Sequence, residues 1–154
     1  MKEQKFYIDS LPYEIELTAR ICHENARRLL EQITDEVSID EFSVLDTIIA
    51  KPDLSQADLA RIILKGKAHT GRFLMSLENK GFIERKVLER NGKLIKMSVV
   101  TDKGRKFYEN IVKDFRPQAT KFVQIMSDDE ISSIINNLQK LRQAIEKCSN
   151  IVFE

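Results

Sequence analysis

Apolar side chains recur at helical spacing near both ends of the chain. In the first stretch, apolar or small residues are three or four positions apart, at Leu11, Ile15, Thr18, Cys22, Ala26, Leu29 and Ile33. In the second stretch the spacing alternates strictly between three and four, at Ile131, Ile134, Leu138, Leu141, Ile145 and Cys148. Such spacing places one apolar stripe on a helix, and a heptad stripe packs against a partner helix. The pattern predicts long helices over 11–33 and from Ser127 onward.

Three shorter helices are predicted after the first one. Ser38 with Glu41, and Ser127 with Glu130, have the spacing of a capping box, and Ser55 with Asp58 has the same spacing with a shorter acid. A further helix is expected over about 67–80 with Thr70, Leu74 and Leu77 buried, after a tight turn at 64–66. Gly81 stands where a helix needs a left-handed terminator.

A basic β-hairpin follows these helices. Residues 82–89 and 94–100 are rich in β-branched and apolar side chains. Asn91-Gly92 between them predicts a type I′ turn, because both central residues of that turn need positive φ. Helix resumes over 101–126, and Pro117 is expected to kink or break it near Arg116.

Composition indicates a helix-rich protein with a core. The chain has 154 residues, 42% apolar and 32% charged, with two cysteines and no apolar run long enough to span a membrane. Two cysteines are too few for a disulfide framework, so a cytoplasmic location is expected. The predicted division is a long N-terminal helix over 1–37, a middle domain over 38–106 and C-terminal helices over 107–154. Within the middle domain, the helix-turn-helix covers about 55–80 and the wing about 82–100.

The net charge of +1 hides a strong asymmetry. Residues 61–106 hold 13 lysines and arginines against 4 acids, which leaves +9 there and −8 in the rest of the chain. A basic segment in an acidic frame is typical of nucleic-acid binding, since phosphate contacts supply most of the affinity. A solvated charged face is the alternative.

Helix, tight turn, helix and basic hairpin together predict a winged helix-turn-helix. In that motif the second helix enters the major groove of double-stranded DNA with its N-terminal residues at the base edges. We expect the hairpin to reach a neighbouring minor groove or phosphate. The candidate DNA-binding residues are Ser55, Gln56, Lys65, Lys67, His69, Thr70, Arg72, Arg90, Lys93 and Lys96.

The sequence resembles the MarR-type transcriptional regulators. Residues 77–85, LENKGFIER, are close to that family's LEKKGLIER, residues 100–104 are similar to LTEKG, and residues 126–130 are similar to the LSxEE start of the last helix. The wing departs from the family, which usually carries Asp-x-Arg where this chain has Asn91-Gly92-Lys93. Lysine lacks the bidentate fork of arginine. The resemblance therefore implies wing contacts that are looser than usual.

The resemblance further implies an obligate homodimer in which the first helix and the last two helices intertwine. The candidate interface residues are Leu11, Ile15, Cys22, Ile131, Ile134, Leu138, Leu141 and Ile145. Each protomer would bind half of a pseudo-palindromic operator, as a repressor rather than an activator. Release by a small-molecule effector or an oxidant stays open. The alternative is a thiol- or ligand-sensing dimer that acts mainly through a protein partner.

No catalytic, cofactor or metal site is predicted. Cys22 and His23 point about 100° apart on a helix, so they do not form a nucleophile and base pair. Cys22 and Cys148 lie on apolar stripes, and we expect buried, inert thiols, with a redox switch as the alternative. A small-ligand pocket is an open hypothesis that rests on the aromatic residues Phe6, Tyr7, Tyr13, Phe107, Tyr108, Phe115 and Phe122.

Overall fold

The computed structural model describes residues 6–150. After a 3-10 turn at Tyr7–Asp9, the helices and strands in chain order are α1 (Leu11–Glu31), α2 (Ile39–Ala50), α3 (Gln56–Ile62), α4 (Lys67–Asn79), β1 (Ile83–Arg90), β2 (Lys93–Val100), α5 (Asp102–Ala119) and α6 (Asp128–Ser149). A second 3-10 turn, Lys121–Ile125, joins α5 to α6. The predicted class, mostly α with a small β-wing, is confirmed. Residues 1–5 and 151–154, which the predicted end domains include, lie outside the described residues.

Serine caps begin the helices as the sequence predicts. Ser38 and Ser127 form complete capping boxes with Glu41 and Glu130. Ser55 caps α3 by accepting a hydrogen bond from the N–H of Asp58. The carboxylate of Asp58 instead accepts from the hydroxyl of Ser55 at 2.6 Å. An aspartate is one methylene shorter than the glutamate of a capping box, which accounts for this shorter-range bond.

Two helix ends differ from the prediction. α1 ends at Glu31, two residues before the predicted end, although Ile33 still packs against the core. α5 runs through Pro117 to Ala119 instead of breaking near Arg116. Pro117 lies in the last turn of α5, where the missing N–H interrupts only the final part of the hydrogen-bond ladder.

The turn between α3 and α4 and the turn of the hairpin both use left-handed residues. Leu64, between α3 and α4, has φ 58°. Gly81, which follows the end of α4, is also left-handed, with φ 77°. In the hairpin, Asn91 and Gly92 have φ 52° and 74°, so the predicted type I′ turn is confirmed. The antiparallel register pairs Arg90 with Lys93 next to this turn. β1 starts one residue later than predicted and β2 one residue earlier than predicted.

One apolar core joins the helix-turn-helix to the base of the wing and to α5. Its fully buried members include Leu45, Leu74, Leu77 and Phe82. Phe82 stacks on Phe107 of α5 with ring centroids 4.3 Å apart. The buried set is Leu30, Val37, Ile39, Phe42, Val44, Leu45, Ile48, Leu59, Leu74, Leu77, Phe82, Ile83 and Ile111. The core therefore holds α3, α4 and the base of the wing in one unit.

Two of the three stretches that resemble the MarR family, residues 77–85 and 100–104, form the corner between α4, β1 and α5. Thr101 caps α5 and donates its hydroxyl hydrogen to the carbonyl of Gly81 at 2.6 Å. Lys103 Nζ donates to the carbonyl of Lys80 at 2.7 Å and lies 5.2 Å from the centroid of the Phe82 ring. These side chains satisfy carbonyl groups at the end of α4 that have no partner within the helix. The similarity is therefore explained by packing of this corner.

The apolar stripes at the two ends of the chain are largely uncovered. None of the described residues of α6 is buried, and Leu30 is the buried residue of α1. Ile134, Leu138 and Ile145 are exposed, and so are the thiols of Cys22 and Cys148. The expectation that both thiols are buried is wrong for the single chain. No helix within residues 6–150 is long and apolar enough to cross a membrane.

Candidate nucleic-acid interface

A groove lies between the start of α3, the first turn of α4 and the wing. Its cavity is about 430 Å³. The lining residues are Ser55, Gln56, Ala57, Asp58, Lys67, Arg90, Leu94, Ile95 and Lys96. Five of the predicted DNA-binding residues are thus brought together, although 41 positions separate Ser55 from Lys96 in the sequence. The β-bridge between Ser55 and Met97 fixes the wing beside α3.

The first two turns of α4 present Lys67, His69 and Arg72 to solvent. Thr70 points the other way and is 0% exposed. Its hydroxyl donates to the carbonyl of Gly66 at 3.1 Å, inside the domain. The prediction that Thr70 contacts DNA is therefore wrong. Its position one helical turn before Leu74 places it on the core face.

Two other predicted contacts have partners inside the domain. The ammonium group of Lys65 lies 3.2 Å from the carboxylate of Asp40 at the start of α2. The hydroxyl hydrogen of Ser55 is held by the carboxylate of Asp58, which also binds Arg61 at 2.6 Å. Either residue would have to leave its partner before it could bind a phosphate. Both interactions stabilise the helix-turn-helix.

Gln56 joins the two helices of the motif. Its amide nitrogen lies 3.6 Å from the point where a β-carbon on Gly71 would stand. Gln56 also lines a second cavity of about 310 Å³, with Arg85, Lys86 and Val87 on the wing. A β-carbon at position 71 would be in ordinary van der Waals contact with this amide, so the approach of α3 to α4 does not depend on glycine. The amide is half-buried and borders both cavities.

Five cations of α4 and the wing have no acidic partner among residues 6–150: Lys67, Arg72, Arg90, Lys93 and Lys96, of which Lys67, Arg90 and Lys96 line the groove. Their neighbours are neutralised, since Arg85 pairs with Glu78 at 2.6 Å and Lys86 with Glu84 at 3.6 Å. Arg90 Nη2 is directed back along the wing and lies 3.9 Å from the sulfur of Met97. Uncompensated cations in a concave surface attract a polyanion such as the phosphate backbone.

Two apolar residues that border this surface were not predicted from the sequence. Leu64, in the left-handed turn, lines a cavity of about 530 Å³ with Arg61 and Lys67. Leu94, near the tip of the wing, is 78% exposed and lines the groove. A leucine in a strand is usually a core residue, and the alternation along this strand does not indicate that Leu94 faces solvent. Arg61, which lines the same cavity as Leu64, could have been predicted as a surface residue because it belongs to the basic stretch.

A charge pair supports α4 from behind. Glu41, buried at the start of α2, accepts hydrogen bonds from Lys80 Nζ at 2.9 and 3.1 Å. Burial by itself would raise the pKa of Glu41. Hydrogen bonds from Ser76, the N–H of Ser38 and Lys80 outweigh it, so the pKa is lowered. The bond to Arg85 likewise lowers the pKa of Glu78. Both carboxylates remain charged at neutral pH. Glu41 holds the C-terminal end of α4 to α2, and Glu78 holds it to β1.

A separate cavity of about 380 Å³ lies between α1, α2 and α5. His23, Phe42, Asp46, Phe115 and Arg116 are among the residues that line it. At its edge the hydroxyl of Tyr108 donates to Asp46 Oδ1 at 2.6 Å, and Arg116 Nη2 donates to the same oxygen at 3.2 Å. Burial, and then the bond to Asp46, raise the pKa of the Tyr108 hydroxyl. This polar cluster ties α2 to α5.

The seven aromatic residues expected around a ligand do not meet in one pocket. Phe115 lines the cavity between α1, α2 and α5, while Phe107 and Tyr108 pack against the core. Tyr7 and Tyr13 pair with each other near the start of α1. Phe122 lines an open groove of about 870 Å³ along α1, together with Ile21, Cys22 and Ile125. Phe6 is exposed.

Comparison with known proteins gives a family match over the middle of the chain. The family model described as MarR family matches residues 37–95, which span α2 through the turn of the wing. No curated protein sequence matches the chain.

Solved structures share the fold over most of the chain. The complex of MepR from Staphylococcus aureus with DNA has a TM-score of 0.73 at 22% identity, covering 88% of this chain and 98% of that one. AbsC, a MarR family transcriptional regulator from Streptomyces coelicolor, has a TM-score of 0.77 at 11% identity, with 95% and 99% covered. CouR from Rhodococcus jostii RHA1, bound to p-coumaroyl-CoA, has a TM-score of 0.74 at 13% identity, with 90% and 95% covered.

Proposed function

Because residues 37–95 match the family model described as MarR family, we propose that this chain belongs to that family and is a transcriptional regulator that binds double-stranded DNA as a homodimer. Each protomer binds half of a pseudo-palindromic operator, and the bound dimer represses transcription. The protein acts where the DNA is, in the cytoplasm. It performs no catalysis and needs no cofactor for this role.

The observation that carries the proposal is the groove lined by the unpaired cations Lys67, Arg90 and Lys96. Lys67 and Arg72 stand on the exposed side of the first turns of α4, where a recognition helix meets base edges. Lys96 continues this positive surface onto the wing, and Lys93 lies beside the turn of the hairpin. Arg72 is the residue best suited to a base contact, because its guanidinium group can bind guanine O6 and N7 together.

The uncovered helices support the dimer. α6 is 22 residues long and exposes the heptad stripe that includes Ile134, Leu138 and Ile145. A helix of that length is not stable through propensity alone and needs a packed apolar face. The open groove along α1 adds Ile21 and Ile125 to the uncovered apolar surface. A second copy of the chain, packed on α1 and α6, would cover both.

Release from DNA is assigned to a small ligand in the cavity between α1, α2 and α5. That cavity lies where the DNA-binding domain meets the dimerisation helices, and Asp46, Tyr108 and Arg116 link the two across it. A ligand that breaks this cluster would change the angle between α2 and α5. Oxidation of Cys22 is the second route, because its thiol is exposed in the single chain and borders the groove along α1.

The test begins by recovering protein-bound fragments from a random pool of genomic DNA. The proposal predicts that a shared pseudo-palindromic sequence is enriched. Arg72→Ala should then cost about 1–3 kcal/mol and relax the preference at one base pair in each half-site, measured by fluorescence anisotropy. Thr70→Val is the matched control on the buried side of α4 and should keep the wild-type base preference.

The outcome separates the proposal from its alternative. If no DNA sequence is enriched, and the wild-type dimer binds duplexes weakly and without preference, the chain is not an operator-binding regulator. A thiol- or ligand-sensing dimer that acts through a protein partner would then be the better account. If Arg72→Ala and wild type have the same base preference, α4 is not the recognition helix.

A further inference from the structure

The outer half of the wing, residues 87–96, exposes apolar side chains on one face. Leu94 is 78% exposed, and among the large apolar residues of the described chain only Ile125 is more exposed. Val87 is exposed on the same face, because the register pairs Val87 with Lys96 and Glu89 with Leu94. Single exposed apolar residues are common, but adjacent ones near the tip of a hairpin indicate an interaction surface.

The charges around Leu94 favour a nucleic acid as the partner. Lys93 precedes it at the turn, and Lys96 lies on its own face of the hairpin. Lys67 and Arg90 line the groove together with Leu94. Glu89 is the single acid between residues 87 and 96. An apolar side chain among cations matches a surface in which sugar and base edges lie between phosphates.

The tip of the wing is the Asn91-Gly92 turn, and Lys93 and Leu94 follow it directly. Arg90 pairs with Lys93 across the hairpin, but its guanidinium group turns back toward the buried Met97, with 3.9 Å between Nη2 and the sulfur. No guanidinium group is therefore aimed outward from the tip. Leu94 is the side chain with the largest apolar surface available for a contact there.

We propose that Leu94 is a specificity-determining residue that enters the DNA minor groove and packs against its sugar walls and base edges. The inference rests on the DNA-binding function proposed above. Apolar side chains that enter this groove act by widening it or by partly unstacking a base step, so they sense its width and deformability. Glu89, paired with Leu94 across the hairpin, is repelled by the phosphates and opposes deep entry, so the cations beside it must offset this cost. Lys93 and Lys96 bind the flanking phosphates.

The contact makes the wing sensitive to one chemical group. Guanine carries a 2-amino group that projects into the minor groove, whereas A·T pairs present only acceptors there. Inosine lacks this amino group, so an I·C pair has the minor groove of A·T and a major groove close to that of G·C. A side chain packed on the base edges should therefore tolerate I·C and be excluded by G·C.

The experiment uses the full-length protein and an operator recovered from the genomic pool. Anisotropy titrations compare wild type, Leu94→Ser and Lys93→Ala, with Leu88→Ser as the control for an exposed leucine on the opposite face of the wing. Each protein is titrated with duplexes in which the pairs outside the major-groove half-site are A·T, I·C or G·C. Each titration is repeated over a range of salt concentrations, and sedimentation reports the oligomeric state.

The proposal predicts that wild type binds the A·T and I·C duplexes alike and the G·C duplex about tenfold more weakly. Leu94→Ser should bind the A·T duplex about tenfold more weakly than wild type, with an unchanged salt slope and no discrimination between I·C and G·C. Lys93→Ala should keep the discrimination and lose salt dependence. Leu88→Ser should behave like wild type.

Three results would overturn it. Leu94→Ser could bind every duplex as wild type does, which would leave the residue without a DNA contact. It could lose salt dependence as Lys93→Ala does, which would make it a support for the phosphate contacts. It could sediment as a smaller species, which would make the exposed face a contact between copies of the chain. Failure of wild type to bind any duplex would instead reject the proposed DNA-binding function itself.

Discussion

The backbone of Gly104 lies directly against the carbonyl group of Phe82. A β-carbon on residue 104 would overlap the carbonyl oxygen and stand 2.8 Å from the carbonyl carbon. The same oxygen accepts a hydrogen bond from the N–H of Thr101 at 3.0 Å. The start of α5 is thereby fixed to the end of α4 at the base of the wing.

Gly104→Ala should destabilise the protein by about 2–4 kcal/mol, because neither backbone segment can move without breaking this corner. Urea unfolding followed by circular dichroism would measure the change. Gly66→Ala is the matched control, since nothing lies within 4 Å of its β-carbon position. Because Gly66 is the N-cap of α4, where alanine is less favourable than glycine, the control should cost no more than about 1 kcal/mol. Equal stability of the two variants would mean that the contact is not tight.

The pair between Glu41 and Lys80 predicts a pH dependence of stability. The pKa of Glu41 is lowered in the folded protein, so its stabilising contribution is complete above the usual glutamate pKa of 4.5 and is lost as the pH falls through the lowered value. Glu41→Gln should cost about 1–2 kcal/mol at pH 7 and progressively less below pH 4.5. Urea unfolding of both proteins between pH 7 and pH 3 would test this. A constant difference across that range would contradict it.

The exposed stripe of α6 predicts that a charge there prevents assembly. Leu138→Asp would bury an unpaired carboxylate between protomers, so the variant should sediment as a monomer or fail to fold. Asn137→Asp places the same charge on the neighbouring exposed position, off the stripe, and should stay dimeric. The thiols of Cys22 and Cys148, exposed in the single chain, should react faster in the monomer. A folded, dimeric Leu138→Asp variant would place the interface elsewhere.

The fold was predictable where local chemistry and long-range packing agree. The serine caps, the Asn91-Gly92 turn and Gly81 each depend on a few neighbouring residues, and all are found in the structure. Pro117 was misjudged because its effect depends on how much helix follows it, and α5 ends two residues later in any case.

The site was harder to predict because single residues can serve the core or the surface. Thr70 and Arg72 are neighbours on the same helix, yet one is buried and the other is exposed. Lys65 belongs to the basic stretch, but Asp40, 25 positions earlier, pairs with it. Leu94 follows the alternation of a strand and still faces solvent, since the wing extends beyond the body that would cover it. Such differences depend on tertiary neighbours that periodicity does not specify.

The salt dependence of operator binding tests the central claim most directly. Each phosphate neutralised by the protein adds about 0.9 to the slope of log K against log salt concentration, and every substitution acts twice in a dimer. The account predicts that Lys67→Ala and Lys96→Ala each lower the slope by about 1.8 relative to wild type. Lys113→Ala, an exposed lysine on α5 far along the chain from the groove, should leave the slope unchanged. Wild-type slopes for Lys67→Ala and Lys96→Ala would contradict the account, because DNA would then not lie in the groove between α3, α4 and the wing.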